Sequence, residues 1–308
     1  MEQIHRTTTA GDARCAQPTM RGDARHHDPE RATRARLVPT KTALLVVAAT
    51  ATLGLAACAS SSPSPDASPT AASPTATAAP QWSYTGNTGP ARWGDLSPDW
   101  ATCGSGQAQS PIDLVTSAVS PGTAAPVQPQ FTATDFAVEN NGHTIEPVPA
   151  TKDSRVVVDG VQYTFQQTHF HAPSEHTLNG QAFPMEMHLV STNDQGNIAV
   201  IGLFIAAGAE NTTLKEIFDN LPSAETTTAT EYETGTPVNL GEVIPTAGQV
   251  FRYGGSLTTP PCSEGVQWTV YETPITLSAA QIAAFTSIYD ADARPVQPLN
   301  GRTVSVYP

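Results

Sequence analysis

His169-Phe170-His171 and His188 are the residues whose types and spacing could do chemistry. The pair sits in a β-favouring run, so strand alternation turns both imidazoles to one face and Phe170 to the other. Positions i and i+2 of a strand lie roughly 7 Å apart, close enough to share a metal ion. The next β-favouring run carries His188, with Glu186 and Val190 on its face, and the turn-rich stretch before it can return the chain antiparallel. Three neutral imidazoles on one sheet face leave the fourth tetrahedral position to water, the arrangement of a catalytic zinc site. Spacing alone also admits ordinary core or surface histidines.

Positioning these residues falls to short β-favouring runs separated by turn formers. Residues 131–138, 155–158, 162–170, 185–190, 198–206, 251–253 and 266–271 read as strands. Asp159-Gly160 reads as a tight hairpin turn. Only 212–221 and 278–289 read as helices, the second with Ser278 as N-cap. Many strands, few helices and no second linker indicate one mainly β (α+β) domain over residues 81–308.

The remainder of the chain has a different character. Residues 1–41 hold eight of the fifteen Lys and Arg, leaving seven basic against 23 acidic residues beyond them, a net charge of −16. A body that acidic repels nucleic acid and anionic lipid, so no nucleic-acid partner is expected and anionic lipid is a poor one. Arg31, Arg34, Arg36 and Lys41 precede an apolar run over 43–57, shorter than the roughly 20 residues of a membrane span. Basic, apolar and small-residue segments in that order make a secretory signal over 1–57 with an extended basic region. Leu55-Ala56-Ala57-Cys58 resembles a bacterial lipobox, in which the peptide is cut before the Cys and the thiol receives a lipid; a plain signal peptide is the alternative. Residues 59–80 are Ser-, Pro-, Ala- and Thr-rich and cannot bury a core, so 58–80 is expected to be a lipidated Cys with a disordered tether. The expected location is the outer face of the bacterial cell membrane, held only through Cys58, or the medium. Cys103 and Cys262 remain, and in an exported domain they most simply form one disulfide, worth roughly 4–5 kcal/mol in the chain-entropy model. Two free buried thiols are the alternative.

Longer motifs narrow the reading. Gln167-Thr168-His169-Phe170-His171-Ala172-Pro173-Ser174-Glu175-His176-Thr177 resembles the zinc strand of α-class carbonic anhydrases, and Met185-Glu186-Met187-His188-Leu189-Val190 the strand of their third ligand. Asn141-Gly142-His143 is similar to the family's proton-shuttle segment, and Tyr253-Gly254-Gly255-Ser256-Leu257-Thr258-Thr259-Pro260-Pro261-Cys262 to its active-site loop. Gln109-Ser110-Pro111-Ile112 and Arg294-Pro295-Val296-Gln297-Pro298-Leu299 complete a pattern that starts at Trp82-Ser83-Tyr84. The resemblance implies a large twisted, mostly antiparallel central sheet with short surface helices and a zinc ion (Zn2+) at the bottom of a conical cleft.

The resemblance also implies roles. His169, His171 and His188 would hold zinc, which lowers the pKa of its water to about 7, an effect for which this family is the standard example. The implied reaction is reversible hydration of carbon dioxide to bicarbonate, with ester hydrolysis as a side activity. Gln167 would orient His169, Glu186 would orient His188, and a backbone carbonyl near Asp292 would serve His171. Tyr84 and Asn141 join this outer group. Thr258, donating to Glu175, would direct the attacking oxygen, and its N–H would bind a substrate oxygen. His143 would carry the proton out. Val190, Val200, Leu257, Thr259, Val266 and Trp268 would line the pocket for carbon dioxide. His176 is expected to be a structural partner rather than a ligand.

Two positions depart from the family's pattern. Glu146 replaces a neutral amide and is expected to raise the pKa of His143 and to weaken anionic inhibitors; Asp292 stands where Asn is common. The rival readings are a non-catalytic carbonic-anhydrase-like binding module and a zinc-binding lipoprotein. All three ligands are present against the first, and the absence of a His-rich run stands against the second.

Overall fold

The computed structural model describes residues 81–123, 127–226 and 232–308. The expected signal segment, Cys58 and the tether lie outside the described residues. Helices are short: α1 (Trp93–Leu96), α2 (Thr102–Ser105), α3 (Lys215–Phe218) and α4 (Ala279–Thr286). The early strands are β1 (Asp113–Leu114), β2 (Ser120–Pro121), β3 (Gln128–Gln130), β4 (Phe136–Asn140), β5 (Ile145–Pro149) and β6 (Arg155–Val158). The later ones are β7 (Val161–His171), β8 (Thr177–Leu178), β9 (Met185–Thr192), β10 (Ile198–Ala207), β11 (Val250–Ser256), β12 (Glu264–Leu277) and β13 (Ser305–Tyr307). Nine of them form one sheet in the order β2-β13-β11-β12-β10-β9-β7-β6-β3. Six of its eight neighbour pairs are antiparallel; β10 with β12 and β13 with β2 are parallel. The sheet is therefore mixed, with the antiparallel majority that the family resemblance implies.

Both faces of this sheet are covered. Met185, Met187 and Leu189 of β9 enter a core with Phe136, Phe165, Phe170, Ile201, Leu203 and Phe285. Val200, Phe251, Tyr253, Val266, Trp268 and Val270 fill a second core on the other side. Fully burying each such side chain contributes about 1.5–3 kcal/mol, which fixes the register of the central strands.

Register matters most in β7. Tyr163 and Phe165 enter the apolar core from the first half of the strand, and Phe170 with the buried Thr168 from the second, so the core-facing parity changes from odd to even while His171 is buried on the opposite face. The change coincides with a bulge between Phe165 and Gln167 in the pairing with β9. One extra residue moves every later side chain to the opposite face. Because of it Gln167, His169 and His171 leave the Phe165 core, and His169 stands opposite His188.

Several expected boundaries shift. The run 131–138 is not one strand: β3 ends at Gln130, and β4 leaves the large sheet to pair with β5. Phe131 and Phe136 both pack edge-on against Phe165, at 5.2 and 6.4 Å, which a straight strand would forbid at a separation of five. The expected helix at 212–221 shrinks to α3; Asp219 just beyond it is still αR, and Pro222 bars the residue before it from continuing the helix. The helix expected to reach 289 ends at Thr286, where the Ile288 and Tyr289 amides turn back onto the Phe285 carbonyl. Its start is as expected, with a capping box of Ser278 and Gln281. Strand β12 runs past its expected end at 271, through Pro274, by means of a break in its pairing with β10. Asp159 and Gly160 form the tight turn between β6 and β7, both with positive φ, 51° and 78°.

Candidate active site

Three imidazoles converge at the sheet centre. His169 Nε2 lies 3.2 Å from His188 Nδ1, and one ligand nitrogen from each of His169, His171 and His188 falls within 4.8 Å of the others. Each opposite nitrogen is committed elsewhere. His169 Nδ1 donates to Gln167 Oε1 at 2.8 Å, His171 Nδ1 to the Asp292 carbonyl at 2.8 Å, and His188 Nε2 to Glu186 Oε1 at 2.9 Å. The three nitrogens facing one another therefore carry lone pairs. His171 Nε2 is buried without a hydrogen-bond partner. Lone pairs crowded together in a desolvated site call for a cation between them, and three imidazole nitrogens are a donor set that suits zinc. Burial pushes the pKa of His169 well below its ordinary value, and the like-charging His171 and His188 lower it further. Burial likewise brings His188 down to about 4. Both rings are thus held neutral, the form a metal needs.

Glu186 has two partners besides solvation to consider. Burial alone would raise its pKa, but His176 and His188 hold it well below the carboxylate range. His176 Nδ1 donates to Glu186 Oε1 at 2.7 Å and its amide to Oε2 at 2.8 Å. The Nε2 of His176 then accepts from the Tyr253 hydroxyl at 2.6 Å, so both of its nitrogens are occupied and it is a structural partner. Room for the Glu186 carboxylate comes from Gly202, directly opposite His188 on β10: a Cβ there would sit 2.9 Å from Glu186 Oε1.

Glu175 is buried beside the triad. Its Oε1 accepts from the Arg294 amide at 2.9 Å, while Oε2 stands 3.4 Å from His171 Nε2. Burial raises its pKa to about 8, against the Arg294 amide and the Thr258 hydroxyl, which lower it. Thr258 is itself buried, in the loop where the Leu257 amide bonds to Ser263 O and the Cys262 amide to Thr259 O. That loop is pinned at Cys262 by a disulfide to Cys103. Arg294 ties the same corner together, donating to Cys103 O at 2.9 Å and Ser110 O at 2.7 Å.

A cleft of about 100 Å³ opens over the triad, lined by Trp82, Tyr84, Asn141, His143, Glu146, Gln167 and Thr259 among others. The His143 ring stacks on Trp82, 3.6 Å between centroids and 12° from parallel. Of the residues expected to line the pocket, Thr259 does so, while Val190, Val200 and Trp268 stand side by side across β9, β10 and β12. Trp268 meets the edge of His188 at 4.9 Å. Val200, Val266 and Trp268 are buried, and Val190 and Leu257 pack partly buried against them.

Three expectations need correction. Asn141 lines the cleft with His169 and His171 but hydrogen-bonds to no triad histidine; its Oδ1 accepts from the His143 and Thr144 amides, so it shapes the loop that carries His143. The Tyr84 hydroxyl is buried with no partner and hydrogen-bonds to no triad residue. Glu146 does not raise the pKa of His143. Burial lowers that pKa, and the carboxylate opposing the fall is Glu225. Glu146 instead accepts from Asn141 Nδ2 at 3.2 Å and faces Glu139 across the hairpin of β4 and β5. Burial and that like charge push its own pKa up. The other departure, Asp292, accepts from the Ala172 amide at 2.7 Å, and burial raises its pKa to about 7. Gly202, Glu225 and the chain-crossing bonds of Arg294 were not readable from local pattern, since each meets partners far away in sequence.

Comparison with known proteins agrees with this geometry. Residues 88–308 match the family model described as eukaryotic-type carbonic anhydrase. A carbonic anhydrase of Pectobacterium carotovorum is 41% identical over 233 residues, covering 75% of this chain and 93% of that protein. The α-carbonic anhydrase of Thermovibrio ammonificans, solved with the inhibitor sulfanilamide, superposes with a TM-score of 0.69 at 40% identity, over 73% of this chain and 99% of its own. Dioscorin, solved with ascorbate, gives 0.67 at 30% identity, over 74% and 98% of the two chains. By family model, relatives and fold alike, this chain belongs to the α-class carbonic anhydrases and is an enzyme of that family.

Proposed function

We propose that the chain hydrates carbon dioxide reversibly with one zinc ion held by His169 Nε2, His171 Nε2 and His188 Nδ1. The observation that carries this reading is the set of three facing lone pairs, each fixed by a donor bond at the far side of its ring. A zinc ion held there would supply a nucleophilic oxygen drawn from water at neutral pH. The rest is work for the chain's own residues. Gln167, Glu186 and the Asp292 carbonyl lock the tautomers and raise the basicity of the rings. Thr258, with its proton directed to Glu175, would keep a lone pair to accept from the attacking oxygen, and its amide would donate to the oxygen on which charge develops. Val190, Val200, Leu257, Val266 and Trp268 form an apolar wall suited to a small neutral gas. His143, stacked at the cleft rim, takes the proton away from the site.

Hydrolysis of activated esters by the same site is an expected side activity. The dioscorin match shows that this fold also occurs in a protein under another name, so the binding-module reading rests on the site alone. Nothing in the triad, Glu175 or Thr258 is missing to favour it. Stopped-flow hydration before and after a chelator tests the proposal. Activity that disappears with the metal and returns with zinc supports it; a chain that holds one zinc and stays inactive is a binding module.

We propose further that residues 1–57 form an export signal and that Cys58, lipidated, tethers the 81–308 domain through 59–80. The basic-then-apolar run and the lipobox-like Leu55-Ala56-Ala57-Cys58 support this.

A further inference from the structure

The shuttle loop has a neighbour that none of the sequence motifs includes. Residues 222–226 are fastened to it through Asn140, which is buried. Asn140 Nδ2 donates to Pro222 O at 3.0 Å, and the Thr226 amide donates to Asn140 O at 2.9 Å. Asn140 Oδ1 in turn accepts from the Gly142 amide at 3.0 Å and from the Tyr289 hydroxyl at 2.5 Å. One side chain therefore binds two segments about eighty residues apart into a unit. Within that unit the Glu225 carboxylate lies over Gly142: a Cβ on Gly142 would meet it at 3.4 to 3.6 Å. Gly142 has φ +85° and carries no side chain to hold the carboxylate off the loop. Glu225 itself is exposed, on the solvent side.

We propose that Glu225 is the counter-charge His143 needs on accepting a proton, a positioning residue for the proton-release step. The inference rests on the reading of His143 as the proton carrier. The physical need is specific to this site. Stacking on Trp82 removes water from one face of the imidazole, and burial disfavours the imidazolium form. A carboxylate over Gly142, next to the ring in the chain, restores part of that lost solvation and keeps the ring basic enough to take a proton at neutral pH. The other ionisable groups around His143 do not serve. Tyr84 has its pKa raised by burial and stays neutral. Tyr289 donates to Asn140 and is likewise raised, to about 12. Glu146 is held by Asn141 and is less readily ionised, because burial and Glu139 raise it. His169 is turned to the triad. The step moves one proton from the cleft to the imidazole and on to solvent or buffer, with no other bond made or broken.

The test is a proton NMR titration of His143 in the full chain, in wild type and in Glu225→Gln, Glu225→Asp and Glu146→Gln, at low and high salt. Glu225→Gln is expected to lower the His143 midpoint by about half a pH unit at low salt, as suits an exposed pair. Glu225→Asp is expected to retain most of the wild-type value, and 1 M salt to close the gap. In low buffer kcat should fall about threefold for Glu225→Gln while kcat/KM holds. An unmoved midpoint in Glu225→Gln, or a shift produced by Glu146→Gln alone, overturns the proposal. Because the titration needs no turnover, failure of the enzyme reading shows separately, as wild-type protein that binds zinc without hydrating carbon dioxide.

Discussion

Gly202 shows how one missing side chain makes room for a buried carboxylate. Glu186 must accept from His176 and His188 together, and the space for its Oε1 exists because β10 presents a glycine opposite His188. Gly202→Ala is expected to cost about 1–3 kcal/mol of stability through overpacking. It should also weaken zinc binding roughly 10–100-fold by displacing the orienting carboxylate. Competition with a chromogenic chelator measures the second effect, and unchanged affinity would show that Glu186 does not orient His188. The triad and its orienting residues were legible in the sequence because they are local: Gln167 sits two residues from His169, and Glu186 two from His188. Gly202 and Glu225 were not, because what makes each of them matter is a contact supplied by another strand or loop.

Strand β7 carries the same lesson one level up. Alternation correctly put His169 and His171 on one face, yet a strict period of two would have placed Gln167 with Tyr163 and Phe165 in the core. The bulge after Phe165 breaks that parity, and nothing in the local residue types marks it. Likewise β4 reads as part of one long run until its pairing with β5 draws it aside, which sets the His143 loop over the cleft. The turn between β6 and β7 has a further use. Its Asp159 forms a two-pronged pair with Arg252 of β11, at 2.8 and 2.6 Å, although β11 lies four places from β7 and five from β6 in the sheet order. The hydrogen bonds from Arg252 hold the Asp159 carboxyl below its ordinary pKa. A depressed folded-state pKa gives stability that is present above the ordinary Asp value and lost as pH falls through the folded one. Asp159 is about half exposed at its side chain, so the pair is worth about 1 kcal/mol or less. Asp159→Asn should therefore lower the thermal midpoint at pH 7 by a few degrees, with the gap closing toward pH 3. A gap that stays constant from pH 7 to pH 3 would contradict the pairing.

At the scale of the whole molecule, the disulfide of Cys103 with Cys262 spans 159 residues and fixes the Thr258 loop to the amino-terminal segment. The pairing of Cys103 with Cys262 was readable from the sequence; its nearness to Glu175 through Arg294 was not, since three distant segments meet there. The acidic body and its proposed tether make a separate prediction. Cys58→Ser in the full chain should move the protein from the membrane fraction to the medium, and unchanged membrane association would contradict a lipid anchor. The central claim is that one zinc at His169, His171 and His188 is needed for hydration of carbon dioxide. Zinc titrated into metal-free full-length protein, with hydration followed by stopped flow, tests it most directly. Activity should rise in proportion to zinc and level off at one equivalent. Hydration at full rate without zinc, or none at one bound equivalent, would contradict the account.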